Sequence, residues 1–311
     1  MNTIYFNRRV EDATRRRQLY SGQLFAYSPR PETVALCDFA RQMIEQAFDG
    51  LDPLTAQFQM PVEQYVSIVA PLKPRFIHSP ETRQLMRELL ASFGCDMKTT
   101  YLDVPRLRMV THGGYLTSGV GYAHHPHRDT WYSAPMAQLN WWLPIYDIES
   151  ESSMAFHPGY WDRPILNNSE DFNYYEWNSE GRKNAAQHIK TDTRRQPKPQ
   201  EPVELDPQIR VITEPGGVVM FSAAQLHSTV PNHSGRIRYS IDFRTVHIGD
   251  IVDGIGARNV DSRPTGTSVR DFVRAADSEP FPEDIVRSFD SEQSQSAKGM
   301  LVFTPPAEAL L

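Results

Sequence analysis

The sequence predicts a mainly β fold with flanking helices, in which short strands close a barrel behind a helical N-terminal third. Three observations carry this. Residues 31–48 place Val34, Cys37, Ala40, Met43, Ile44 and Ala47 at helical spacing. Residues 137–144 and 217–221 are apolar runs of strand length. Residues 236–244 alternate strictly, with Arg238, Ser240, Asp242 and Arg244 on one face and Ile237, Tyr239, Ile241 and Phe243 on the other.

Along the chain, helices are expected at 31–48, stopped by Gly50, then at 61–70, and at 81–93, stopped by Gly94. They make 1–96 a helical support with no chemistry of its own. Strands follow at 97–103, 106–111, 137–144, 210–213, 217–221 and 237–246, so 97–248 forms the core. An insertion at about 161–206 interrupts it. Its first part is rich in Asn and aromatics and its second in Pro, a composition suited to a lid or to a surface excursion. In 249–311, Ser268-Val-Arg-Asp271 reads as a capping box, 282–289 as a short helix, and the stretch from Ser291 as a polar tail. The expectation is one catalytic domain over 1–311.

Composition narrows the class. The chain has 311 residues, 40% hydrophobic and 23% charged, as in a soluble globular protein. A net charge of −6 argues against nucleic acid or an anionic membrane surface as partner and leaves a small molecule. The start is polar and basic, which predicts no secretory leader, and no apolar run is long enough for a membrane span. Two cysteines, Cys37 and Cys95, read as buried thiols of a reducing, cytoplasmic compartment. Arg15-Arg-Arg17 reads as a solvated helix face. Oligomeric state is not encoded in any pattern.

The chemistry concentrates at His127-Arg-Asp129, with His227 downstream. Two imidazoles and a carboxylate make a facial triad that holds non-haem Fe(II) and leaves positions open. In an extended strand residues two apart share a side, so His127 and Asp129 point together while Arg128 faces away. The Glu214-Pro-Gly-Gly turn leads through an apolar strand to His227. A cationic stripe with a hydroxyl, Arg238 and Ser240, suits a dianion, because the planar Arg fork binds carboxylate bidentately. Arg236, one strand period earlier, is the rival. His112, His124 and His125 read as loop histidines, and a His-rich zinc site remains the competing metal reading. Trp131 and Tyr132 either floor a substrate pocket or pack in the core.

With these motifs, and with Phe156-His-Pro-Gly159, the chain resembles the Fe(II)/2-oxoglutarate-dependent dioxygenases, in particular the phytanoyl-CoA hydroxylase-like group, from about Tyr101 to Thr245. The eleven-residue step from His227 to Arg238 is also that group's spacing, and it favours Arg238 over Arg236. The resemblance implies a double-stranded β-helix (jelly-roll or cupin-like) barrel, with His127, Asp129 and His227 as iron ligands. It implies Arg238 as the partner of the distal 2-oxoglutarate carboxylate, with Ser240 or Thr229 beside it. Trp142, or its neighbour Trp141, would line the pocket. The family's added Lys has no counterpart in the sequence pattern. Asp129 stands where halogenating relatives carry a small residue, so the resemblance implies hydroxylation or a related C–H oxidation with O2 as oxidant. The expected substrate is a small metabolite, such as an amino-acid derivative or natural-product intermediate. The alternatives are a non-catalytic metal-binding barrel and, third, a metal hydrolase.

Overall fold

The computed structural model describes residues 3–121, 125–181, 189, 191 and 194–289. Five helices precede or support the strands: α1 (Asp12–Tyr20), α2 (Pro31–Phe48), α3 (Val62–Val69), α4 (Leu72–His78) and α5 (Pro80–Ser92). The strands are β1 (Ile4–Phe6), β2 (Leu24–Tyr27), β3 (Thr100–Leu102), β4 (Arg106–Val110), β5 (Leu139–Pro144), β6 (Met154–Phe156), β7 (Ile209–Arg210), β8 (Val218–Ser222), β9 (His227–Thr229), β10 (Arg238–His247) and β11 (Val273–Arg274).

They form two sheets. The larger runs β1-β2-β8-β5-β10-β3-β11, with β4 also pairing β10, and the smaller runs β7-β6-β9. Hydrogen bonding does not close these strands into a ring, which corrects the barrel expectation. The strands of the small sheet are two or three residues long, and the segment carrying His127 joins it through a single bridge, to His227. Strand β10 is the axis: it pairs β5 over 240–245 on one side, and β4 then β3 on the other.

Period-two alternation sorts the large sheet into two faces. Leu139, Trp141 and Leu143 of β5, Val218 and Met220 of β8, and Tyr239, Ile241 and Phe243 of β10 join a core with α2 and α5. Trp142, Val219 and Phe221 face the small sheet, packing with Phe156. Burial on the helix side therefore fixes register, since a one-residue slip of β10 would bury Arg238 and Asp242 among the helices. The turn before β8 needs glycine. Gly216 has φ +80°, its N–H donates to the Pro144 carbonyl at 3.0 Å, and an added Cβ would press on Val34.

Several local expectations change. The N-terminal support contains strands β1 and β2 and helix α4 beyond the three bounded helices and the helix face at Arg15–Arg17 that were expected. Arg15-Arg-Arg17 is not a solvated face: Arg15 is buried, pairs with Asp12 at 2.6 Å and donates to the Phe93 carbonyl at 2.8 Å. Arg16 pairs with Asp12 and Asp250, and only Arg17 is exposed. The cap at 268–271 is Thr267, whose hydroxyl accepts from the Val269 N–H, and it opens a single 3-10 turn. The C-terminal helix is Glu283–Arg287, and the tail from Ser291 lies outside the described residues. Cys37 and Cys95 are both buried and free, and burial pushes both thiols up to about 12. No helix of the described residues is long and apolar enough to cross a membrane.

Candidate metal centre

His127, Asp129 and His227 come together with one ligand atom each inside 4.8 Å. The backbone explains how. His127 and His227 form an antiparallel bridge with reciprocal N–H···O bonds of 3.0 Å, which places two imidazoles side by side, ring centres 4.3 Å apart. The strand geometry expected for the HxD ends there, because Asp129 opens a 3-10 turn, Asp129–Tyr132. The carboxylate therefore reaches the His127 side from a turn, not from a continuous strand.

Both rings are oriented the same way. His127 Nδ1 donates to the His125 carbonyl at 2.8 Å, and His227 Nδ1 donates to the Gln225 carbonyl at 3.0 Å. A carbonyl only accepts, so each neutral ring keeps its proton on Nδ1 and presents the Nε2 lone pair. Those two Nε2 atoms lie 3.3 and 3.8 Å from Asp129 Oδ1. Asp129 Oδ2 accepts from Asn140 Nδ2 at 2.9 Å and lies 3.4 Å from Gln138 Nε2. One carboxylate oxygen is thus held by amides while the other faces the imidazoles.

The electrostatics suit a cation. Burial pulls His227 down to about 4, helped by His127 and opposed by Asp129. Burial would raise Asp129, but the His127 and His227 imidazoles and Asn140 outweigh it and hold it at about 2. Near neutral pH the cluster therefore offers an anionic oxygen and a neutral His227. Oxygen and imidazole donors with no thiolate suit a divalent first-row metal, zinc among them.

The triad opens into a cavity of about 390 Å³. Arg238, Thr229 and Trp142 line it together with the ligands. Arg238 is buried, its Nη1 donates to the Ser152 and Ser153 carbonyls at 3.0 and 3.3 Å, and its Nε has no partner. No described carboxylate lies within 4 Å of it, and burial lowers it to about 10, still protonated at neutral pH. Arg236 is exposed, which removes the rival. Trp142 lies under Arg238, the guanidinium carbon 5.6 Å from its ring. Trp141 also borders the cavity, while its ring stacks on Phe243 in the helix-side core and donates to Thr245 at 2.9 Å, so the pocket keeps both tryptophans of β5.

Other expected residues divide. Tyr132 lines the cavity, its ring 5.5 Å from that of His127. Trp131 does not; it is fully buried with Tyr160, Ile165 and Leu226, and its indole donates to Asp261 at 2.7 Å. The turn at Asp129 rotates consecutive side chains apart, which is why the two aromatics part company. Ser240 is on the Arg238 face of β10 but does not reach the cavity, and its buried hydroxyl has no partner. Arg244 and Asp242 pair at 3.1 Å, as the shared face allows. His125 is neutral near pH 7, lowered to about 4 by burial, and hydrogen bonds the Pro197 carbonyl. His112 is tied to the Gly235 N–H. His124 lies outside the described residues.

Two residues, Asn140 and Lys73, escaped the sequence reading. Asn140 was legible, since it shares the Trp142 face of β5 at a two-residue step. Lys73 of α4 lines the cavity, so the helical support reaches the site. Phe172, Tyr174 and Trp177 of the insertion also line it, so this segment is more than a surface excursion. Replacing Asn140 by alanine is expected to weaken metal binding by about 10–100-fold, the usual cost of freeing a metal ligand from its outer partner. Calorimetric titration with Mn(II) checks this, and unchanged affinity would show that Asn140 does not orient Asp129.

No family model matches the chain, and no curated protein matches it. Among solved structures it is similar to EvdO2 from Micromonospora carbonacea var. aurantiaca, at 13% identity over 78% of this chain and 93% of that one, with a TM-score of 0.42. The epimerase SnoN, solved with Fe3+, alpha ketoglutarate and nogalamycin RO, is similar at 14% identity over 76% and 85%, TM-score 0.38. The non-heme monooxygenase ThoJ is similar at 12% identity over 71% of each chain, TM-score 0.37. Likenesses this distant assign no activity to this chain.

Proposed function

We propose that this chain is a non-haem Fe(II) oxygenase that couples oxidative decarboxylation of 2-oxoglutarate to hydroxylation, or a related C–H oxidation, of a small metabolite. One observation carries the reading: a two-imidazole, one-carboxylate cluster shares a cavity with a buried guanidinium that has no carboxylate partner among the described residues. A charge buried without a counterion is costly, and such a site is completed by an anionic ligand.

His127, Asp129 and His227 would hold the iron, and three protein ligands leave room for a co-substrate that chelates through its keto-acid end. The bound iron supplies the O2 chemistry; the chain's residues supply position. Arg238 would donate to the distal carboxylate of 2-oxoglutarate, with Trp142 and Thr229 flanking it. The Ser152 and Ser153 carbonyls fix the guanidinium in that pose. Asn140 keeps Asp129 Oδ1 free for the metal. The aromatic wall contributed by the insertion shields the site from water.

The test is succinate release from 2-oxoglutarate by protein reconstituted with Fe(II) and screened with candidate metabolites. Iron-dependent succinate, stimulated by a substrate, supports the proposal. Metal and 2-oxoglutarate binding without turnover across the screen would leave a non-catalytic binding protein, and hydrolysis of a screened metabolite with Zn(II), without succinate release, would leave a hydrolase. Replacing Arg238 by alanine is expected to raise the KM for 2-oxoglutarate by roughly thirtyfold or more, since truncating one member of a buried charge pair costs about 2 kcal/mol or more. An unchanged KM would move the anchoring role to Arg244.

A further inference from the structure

The two histidine ligands are oriented alike, but their supports differ. Each Nδ1 donates to the carbonyl two residues before it, His127 to His125 at 2.8 Å and His227 to Gln225 at 3.0 Å. Gln225 is held inside its own turn, its N–H donating to the Ser222 carbonyl at 2.9 Å. His125 is held from outside: its Nε2 donates to the Pro197 carbonyl at 2.7 Å, on the returning leg of the insertion. A carbonyl only accepts, so this bond has one direction. Tyr132, on the far side of Asp129, brings its hydroxyl within 3.4 Å of the same carbonyl.

The connection from that ring to the ligand is stiff. Residue 126 is proline, which fixes its own φ at about −65° and biases the residue before it toward extended backbone. The segment 125–127 therefore transmits a displacement of the His125 ring to the carbonyl that His127 Nδ1 binds. The insertion end of the contact is anchored too. Its two legs pair antiparallel at Asn167 and Pro199, with the Gln200 N–H on the Leu166 carbonyl at 2.7 Å and the Lys198 N–H on Asn168 Oδ1 at 2.6 Å. The outgoing leg is fixed in turn to Asp261, which accepts from the Ile165 N–H at 3.0 Å and pairs with Arg128. The insertion thus grips the HxD segment on both sides of His127, directly at His125 and through Asp261 at Arg128.

We infer that His125 is a positioning residue of the metal site: its ring, fastened to the Pro197 carbonyl, holds the 125–127 segment and aims the imidazole of His127 at the metal. This rests on the reading of His127 as a metal ligand and gives the insertion a second role, bracing that ligand as well as walling the cavity. The fastening depends on a donor at the tip of the side chain. A glutamine at 125 carries an amide N–H of similar reach, whereas a phenylalanine carries a ring with no donor.

The test uses the full chain, titrated calorimetrically with Mn(II) and loaded with Co(II) for its visible absorption, in the parent, His125→Phe and His125→Gln. His125→Phe is expected to weaken Mn(II) about tenfold, the lower end of what disturbing a metal ligand's outer support costs, and to alter the Co(II) spectrum. His125→Gln is expected to return the spectrum to that of the parent and to recover most of the affinity. Melting curves of the metal-free proteins should coincide; if phenylalanine lowers the melt, His125→Ala takes its place as the variant without a donor. Parent-like affinity and spectrum in the variant without a donor, or a glutamine variant as weak as that one, would overturn the inference. A parent that takes up no Mn(II) would strike the metal-ligand reading instead.

Discussion

Asp129→Ala is expected to lose metal binding by two to four orders of magnitude and to show no iron-dependent turnover. In a buried site the carboxylate is the one anionic donor of the cluster, and losing one partner of a buried charge pair costs roughly 3–5 kcal/mol. The fold should survive. Without metal, the substitution leaves the Asn140 amide short of one acceptor, a cost of about 1–3 kcal/mol, and both imidazoles retain their carbonyl partners. The measurement pairs a metal titration with a urea melt. A variant that binds iron like the parent would remove Asp129 from the ligand set. Loss of the melt itself would give the carboxylate a structural role instead.

The second large effect concerns stability. Arg128, between the two ligands, is 1% exposed. Its Nε faces Asp261 at 3.2 Å, and its other nitrogens donate to the carbonyls of Ala224, Tyr160 and Arg163. Asp261 in turn accepts from the Trp131 indole and the Ile165 N–H. This node ties the HxD segment to the loop before His227, to the start of the insertion and to the C-terminal region. Arg128→Ala leaves Asp261 buried without its cation and is expected to cost roughly 3–5 kcal/mol, read as a shift in the urea midpoint. Lysine cannot reproduce the planar fork, so Arg128→Lys should rescue only part. In the Arg128→Ala/Asp261→Ala pair the losses should not add, because the second change removes the charge the first exposes. A single variant within about 0.5 kcal/mol of the parent would make the node ornamental.

What was legible in the sequence follows from where burial imposes a period. Strand β10 lies between a helix-packed core and a charged cavity, so its alternation separated Arg238 and Asp242 from Tyr239 and Phe243 without ambiguity. Helices α2, α3 and α5 showed themselves by apolar spacing for the same reason. Strands β6 and β9, at three residues each, are too short to display any period. Helix α1 was read only as a solvated face, because nothing local shows that its charged residues are satisfied by pairing, Arg15 with Asp12 and Arg16 with Asp250, and not by water. At the site, the three candidate ligands and Arg238 announced themselves by residue type and spacing. Lys73 did not, because its place depends on how α4 packs across β4, which no local pattern encodes. Trp131 and Tyr132 looked alike as neighbours and were separated only by the turn at Asp129.

The most direct measurement is an anaerobic calorimetric titration of the purified protein with Fe(II), then with 2-oxoglutarate, beside His227→Ala. One iron per chain is expected, followed by one 2-oxoglutarate that binds only once iron is present, and neither in the variant. Iron retained by His227→Ala, or 2-oxoglutarate bound equally well without metal, would contradict the convergence of these side chains on a single ferrous centre.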